Sequence, residues 1–299
     1  MKSIGYVYNR AAAVLRSSAT GLVALVIPDI LNPYYAELVT GVQSALDPRD
    51  ESVFLANTSD DVARQRRLFE RLLELQVDGV IVCPARSTTR SDLRPLELAG
   101  IPIVTILNRV QNSPFDYVGP DNVSCGRVAA DHMIALGHRE IAFVGGEPGS
   151  SARTDRVRGV EQVLARVGLD LVARPECRAT RAAATEVVER MLREDATVTG
   201  IIGYNDVVAL GVMDGLFRTG IEPGAVCSVI GFDDIQEAAQ VRPGLTTVAC
   251  RPADLAKKAV EQLARVAERS NDTRPEEVLL PGALVVREST DYPKAERSG

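Results

Sequence analysis

The 299-residue sequence has no apolar run near the about 20 residues that a transmembrane helix needs; its longest apolar stretches are strand-sized. A secretory leader is also absent as a pattern, because Arg10 and Arg16 bracket only five residues rather than a continuous apolar segment. The expectation is a cytoplasmic protein. Cysteines are few and odd in number: Cys83, Cys125, Cys177, Cys227 and Cys250 are widely spaced and mostly set in apolar segments, which suits reduced thiols and not a disulfide framework. Histidine is scarcer still. His132 and His138 lie six apart, flanked by apolar residues and without a cysteine or carboxylate at ligand spacing, so no metal site is expected and both are read as structural. Positive charge is in deficit, with a formal net charge of -6, which argues against the body of the chain gripping a polyanion. The first twenty residues differ, carrying Lys2, Arg10 and Arg16 and no acid. On charge alone this basic patch is a solvated tail.

Catalytic patterns are missing as well. The run GGEPGSS at 145–151 has the glycines of a phosphate loop but not the P-loop lysine, and no GxGxxG follows the first apolar run. Asp233 and Asp234 are neighbours on one stretch, whereas a general acid and base must reach a substrate from two sides. No catalytic residue and no cofactor is expected, and the chain is not read as an enzyme.

What is present is an alternation of short apolar runs with amphipathic stretches of helical period. Strands are expected at 22–27, 53–56, 79–82, 103–106, 141–144, 200–203, 226–231 and 246–249, with helices at 34–46, 62–75, 124–136, 156–167, 182–193, 207–218 and 253–269. Buried parallel strands joined by crossover helices give an α/β class. The pattern occurs twice, so two doubly wound parallel-sheet subdomains with a central ligand cleft are expected. The strand ends are rich in hydrogen-bonding groups: Asp29, Asn32, Tyr34 and Tyr35; Asn108 and Arg109; Asp121 and Asn122; Ser151, Arg153, Thr154 and Arg156; Asn205 and Asp206; Asp233 and Asp234. Planar amides, carboxylates and guanidinium forks beside tyrosine rings suit a small polyhydroxylated or heteroaromatic molecule, and composition does not choose between sugar and base. Asn205 and Asp121 also stand where helix N-caps belong.

Several blocks carry a resemblance over the whole chain. Tyr6, Tyr8, Asn9, Arg10, Ala11, Ala12 and Leu15, then IPDILNPYYAEL, LELQVDGVIVCP, Asp121 through His138-Arg139, GYNDVVALGVMDGL, VIGFDDI, LTTV and LLPGALVVREST, resemble in order the signature blocks of the lactose and purine repressor (LacI/GalR) family. The resemblance implies a periplasmic-binding-protein-like type I fold divided as follows: 1–20, headpiece remnant and hinge helix; 21–120 plus 249–275, N-terminal subdomain; 121–248 plus 276–299, C-terminal subdomain. It implies a ligand-responsive, DNA-binding transcription repressor whose helix-turn-helix headpiece of about 50 residues precedes this point. Tyr34, Asp121, Arg156, Asn205 and Asp233 are then effector-facing, and Tyr35 and Asn108 join them from the strand ends. In the hinge, Leu15 is the minor-groove wedge, flanked by Asn9, Arg10 and Ala12 near the DNA backbone.

The chain departs from that pattern at Asn108, where an aspartate is frequent, at Cys250, where a glutamine is frequent, and at Cys125, which replaces a glycine. A two-turn hinge helix is too short to be stable alone, so it folds only between dimer partners on DNA, and an effector that separates the partners releases it. A homodimer with a small-molecule effector and operator DNA is therefore expected, with no membrane partner. Leu68, Phe69, Leu72, Leu73 and Leu75 suit burial against a second copy as well as against the sheet, and the absence of a terminal heptad repeat argues against a coiled-coil tetramer. The alternative is a stand-alone periplasmic-type solute-binding protein for a sugar-like ligand.

Overall fold

The structure is a computed structural model and describes residues 20–194, 197–269 and 274–293. Asn9, Arg10, Ala12 and Leu15, the expected hinge residues, lie outside the described residues. The chain divides into two compact units, the first drawn from the described residues within 1–30, 38–117 and 256–277, the second from 31–37, 118–255 and those within 278–299.

In the first part of the chain the run LVALVI forms β1 (Leu22–Ile27), followed by α1 (Pro33–Leu46), β2 (Ser52–Asn57), α2 (Val62–Glu74), β3 (Gly79–Val82), α3 (Arg90–Leu98), β4 (Ile103–Ile106) and β5 (Asp116–Pro120). Near the end come α9 (Pro252–Glu268) and β10 (Glu277–Leu280). The sheet order is β10-β5-β4-β3-β1-β2, with β1 parallel to β2 and β3, and β3 parallel to β4. The apolar runs of β3 and β4 are fully buried because a parallel sheet is covered on both faces. Val80, Val82, Ala24 and Val26 pack with Phe69 and Leu72 of α2 and Leu93 and Leu96 of α3. Leu68 and Leu73 lie partly buried against the same cluster, so most of the α2 leucines serve this unit's own core. At the start of β5, Asp116 accepts hydrogen bonds from Gln262 Nε2 (2.5 Å), Arg269 Nη1 (3.0 Å) and the Glu276 N–H (3.0 Å), a buried hub joining three segments.

The second unit contains α4 (Asn122–Ala135), β6 (Ile141–Val144), α5 (Ser151–Arg166), α6 (Arg181–Arg193), β7 (Gly200–Gly203), α7 (Asp206–Arg218), β8 (Ser228–Asp233), α8 (Gln236–Gln240), β9 (Thr246–Ala249) and β11 (Ala283–Val285). Strands β6, β7, β8 and β9 are parallel in sequence order, and β11 closes the β9 edge antiparallel. Helices α4 and α5 cross at two glycines. A Cβ on Gly126 would stand 2.1 Å from the Arg156 carbonyl oxygen, and one on Gly159 would stand 2.1 Å from that of Val123.

Two of the expected elements shift for reasons that local hydrogen bonds make plain. Helix α5 begins at Ser151 and not at 156, because Ser150 Oγ caps it by accepting the Arg153 N–H at 3.2 Å. Strand β8 runs Ser228–Asp233 instead of 226–231, because Cys227 is held in the preceding turn, its carbonyl accepting the Gly224 N–H at 2.8 Å.

Candidate functional site

Arg156 is the centre of the second unit's polar group. It lies in the second turn of α5 and is 5% exposed. Its Nε donates to Asn122 Oδ1 at 2.9 Å, Nη1 donates to the Tyr204 carbonyl oxygen, and Nη2 lies 3.6 Å from Asp233 Oδ1 and 3.9 Å from Cys250 Sγ. The guanidinium lies over the Phe232 ring at 4.5 Å and near the Tyr204 ring at 5.4 Å. Burial opposes its charge, but Cys250, Asp233 and Tyr204 around it raise its pKa above the ordinary arginine value, so the cation persists. Asn122 is itself buried, and its Nδ2 has no hydrogen-bond partner. An amide donor buried without an acceptor costs about 1–3 kcal/mol, a cost that a bound acceptor oxygen removes.

Asp233 ends β8 with φ 114°, and Asp234 follows at φ 60°. Left-handed backbone on two consecutive non-glycine residues costs about 1–3 kcal/mol each and persists only where the surroundings impose it. The surroundings are identifiable. Asp206, fully buried at the start of α7, accepts the Ile235 N–H (3.0 Å) and the Thr247 hydroxyl (2.6 Å), while Arg287 Nη2 donates to Asp234 (2.6 Å). A Cβ at residue 231 would lie 2.2 Å from Asp206 Oδ1, so a side chain there would displace the Asp206 carboxylate. Burial pushes the Asp233 carboxyl up to about 6 although Arg156 pulls it down; Asp206 is raised by burial and then by Asp233, against the Thr247 hydrogen bond.

The other expected ligand residues are distributed as follows. Tyr34 is buried and Tyr35 half-buried, their rings edge to face at 5.9 Å. Asp121 caps α4, accepting the Ser124 N–H at 3.0 Å, and so fixes the turn that presents Asn122 to Arg156. Asn205 caps α7, accepting the Val208 N–H at 3.0 Å, one residue after the Tyr204 carbonyl that Arg156 engages. Both therefore do perform the capping role, and both do so beside the Arg156 group. Asn108 belongs to the first unit, where its Nδ2 donates to the Pro84 carbonyl oxygen at 3.1 Å. The structure thus brings Arg156, Asp233 and the Asn205 and Asp121 turns together within one unit. Asn122 and Asp206, which the sequence placed at strand ends without a chosen role, complete that group.

The histidines lie elsewhere. His132 Nε2 bonds the Thr290 hydroxyl at 2.9 Å, and His138 bonds Thr199 Oγ1, Ser228 Oγ and the Asp291 carbonyl oxygen at 3.1, 2.9 and 2.9 Å. Among the described residues no His, Cys, Asp and Glu cluster suits a metal ion, and no helix is long and apolar enough to cross a membrane.

Residues 130–290 match the family model described as periplasmic binding protein-like domain. The chain is 32% identical over 228 residues to the maltose regulon regulatory protein MalI of Escherichia coli, covering 75% of this chain and 66% of that protein. It is 31% identical over 297 residues to the HTH-type transcriptional regulator DegA of Bacillus subtilis, covering 97% of this chain and 87% of that one. Its fold superimposes on the lac repressor dimer bound to operator and the anti-inducer ONPF with a TM-score of 0.85 at 24% identity, over 96% of this chain and 99% of that one. The chain belongs to the LacI family of transcriptional regulators.

Proposed function

We propose that the chain is the effector-binding and dimerisation region of a ligand-responsive, DNA-binding repressor, acting in the cytoplasm on a small polar ligand such as a sugar, nucleobase or nucleoside. The observation that carries this reading is the buried Arg156–Asp233 pair with the unsatisfied Asn122 Nδ2 beside it. A fixed cation, a carboxyl held near neutrality and a free amide donor form a set that recognises vicinal hydroxyls or the polar edge of a base. In this reading Tyr34, Tyr35, Asn108, Asp121, Arg156, Asn205 and Asp233 face the effector. Asn9, Arg10, Ala12 and Leu15 meet operator DNA between two copies of the chain. The regulators among the relatives, one of them named for a maltose regulon, favour this over a stand-alone solute-binding protein and over an enzyme.

The test is a thermal-shift screen of pentoses, hexoses, disaccharides, nucleobases and nucleosides. A ligand at 100 times its Kd stabilises the native state by about 2.7 kcal/mol, enough to raise Tm by several degrees. One chemical class is expected to do so, and Arg156→Lys, which keeps the charge and loses the fork, is expected to weaken binding at least tenfold. A folded protein stabilised by no member of the panel contradicts the proposal.

A further inference from the structure

Two thiols that the effector reading does not use stand beside Arg156. Cys125 lies in the first turn of α4, and Cys250 directly follows β9; both are buried. Both cysteines approach the backbone at Gly282. Three features fix that meeting. The β11–β9 register pairs Ala283 with Ala249, which sets Gly282 opposite Cys250. A Cβ at Gly282 would stand 2.6 Å from Cys125 Sγ, so the glycine leaves the space that the Cys125 thiol occupies. Cys250 Sγ also faces the Val248 carbonyl oxygen at 3.5 Å and Arg156 Nη2 at 3.9 Å. The remaining cysteines are separate: Cys83 belongs to the first unit, where Asn108 Nδ2 donates to its sulfur at 3.7 Å; Cys177 is half-buried, and a Cβ at Gly145 would lie 3.4 Å from its sulfur; and Cys227 turns to the Ser228 carbonyl oxygen at 3.9 Å.

We propose that Cys125 and Cys250 are an oxidisable dithiol, a modification site in which a small peroxide converts the pair to an intramolecular disulfide beside the Arg156 guanidinium. The roles of the two sulfurs follow from their surroundings. The neighbouring Cys250 thiol lowers the Cys125 pKa against burial, and the Arg156 charge adds to the lowering; Cys250 is raised by the same pairing and by burial, and keeps its proton. The Cys125 thiolate attacks one peroxide oxygen, the O–O bond breaks, and hydrogen peroxide leaves hydroxide and a Cys125 sulfenic acid. The Cys250 sulfur then forms the S–S bond as the sulfenic S–O bond breaks. The Cys250 proton departs with that oxygen as water, so each sulfur is oxidised by one electron and the two peroxide oxygens are reduced. A neighbouring thiol captures the sulfenic acid before a second peroxide reaches it. Burial restricts the oxidant to molecules of about the size of peroxide, and the site does not depend on which ligand Arg156 and Asp233 hold.

The experiment treats the whole reduced chain with hydrogen peroxide, quenches with iodoacetamide in denaturant and maps the peptides by mass. The reduced chain has five alkylatable thiols; the expected oxidised product has three, carries a Cys125–Cys250 crosslinked peptide pair within one chain, and returns to five with dithiothreitol. Cys250→Ser is expected to expose the intermediate as a dimedone adduct on Cys125, and Cys177→Ser to leave the crosslink unchanged. Five thiols after treatment, or losses that map to Cys177 or to links between chains, overturn the proposal, and the wild-type peptide map decides this even if a variant fails to fold.

Discussion

Replacing Asp233 with asparagine isolates a titration that runs opposite to that of an ordinary ion-paired aspartate. The residue is 8% exposed, and burial raises its carboxyl from 3.8 to about 6 even with Arg156 3.6 Å away. Its folded pKa thus exceeds its unfolded value, so the folded state binds the proton more tightly than the unfolded chain. The carboxylate charge is therefore a cost at neutral pH, relieved as pH falls through about 6. The rise from 3.8 to about 6 corresponds to roughly 3 kcal/mol in full, of which about 1–2 kcal/mol is recovered between pH 7.5 and pH 5. Asparagine keeps the shape and an oxygen acceptor but does not titrate, so the wild-type stability minus that of Asp233→Asn cancels every group except those that interact with the Asp233 charge, as Asp206 does. That difference should move in favour of wild type by about 1–2 kcal/mol from pH 7.5 to pH 5, roughly 2–8 °C in the Tm of a unit of this size. Calorimetric melts of both proteins at the two pH values measure it. A difference that stays flat, or moves against wild type on acidification, refutes the assignment of Asp233 as a carboxyl strained by burial.

Three further outcomes follow from the packing. Gly126→Ala and Gly159→Ala should each lower Tm, because the added methyl meets backbone oxygen at 2.1 Å and overpacking costs about 1–3 kcal/mol, which outweighs the gain of up to about 1 kcal/mol in helix propensity; a raised Tm would show that the α4–α5 crossing relaxes freely. Asp116→Ala should destabilise the first unit by about 2–4 kcal/mol in urea, since it strips Gln262, Arg269 and the Glu276 N–H of their common acceptor, and a loss below 1 kcal/mol would place the hub's contribution elsewhere. Burial lowers the pKa of His138 below 6.5, so its contribution to stability is complete above 6.5 and is lost as pH falls through the folded value; an imidazole NMR titration with a midpoint at or above 6.5 contradicts this.

Much of the fold was legible in the sequence because its signals are local. Strand 22–27 coincides with β1 to the residue, since a purely apolar run bounded by Gly21 and Pro28 has one reading. The helix expected at 62–75 ends at Glu74 in the structure, with Asp61 as its cap. By contrast, α3 was not foreseen: Pro95 lies inside it and its charged RSDLRPLEL carries little apolar periodicity, while a Thr89–Asp92 capping box starts it. Strands β5 and β10 were missed because DYVGP and EVLL take their order from each other, Tyr117 and Asp121 N–H groups donating to the Glu276 and Leu280 carbonyl oxygens across more than 150 residues of sequence. In the candidate site, Arg156 and Asp233 were named from the family resemblance, but the parts played by Asn122 and Asp206 were not visible. Asn122 reaches Arg156 only because two helices touch at Gly126 and Gly159, and Asp206 supports Asp233 only through Thr247 and the Ile235 amide, a convergence of three strand ends.

The central claim is that the Arg156–Asp233 group holds a small polar effector, and a crystal structure of this chain with the strongest ligand of the screen tests it most directly. The account predicts the ligand within about 3 Å of the Arg156 guanidinium and the Asp233 carboxyl, with an acceptor on Asn122 Nδ2. A ligand bound elsewhere, touching neither Arg156 nor Asp233, contradicts it.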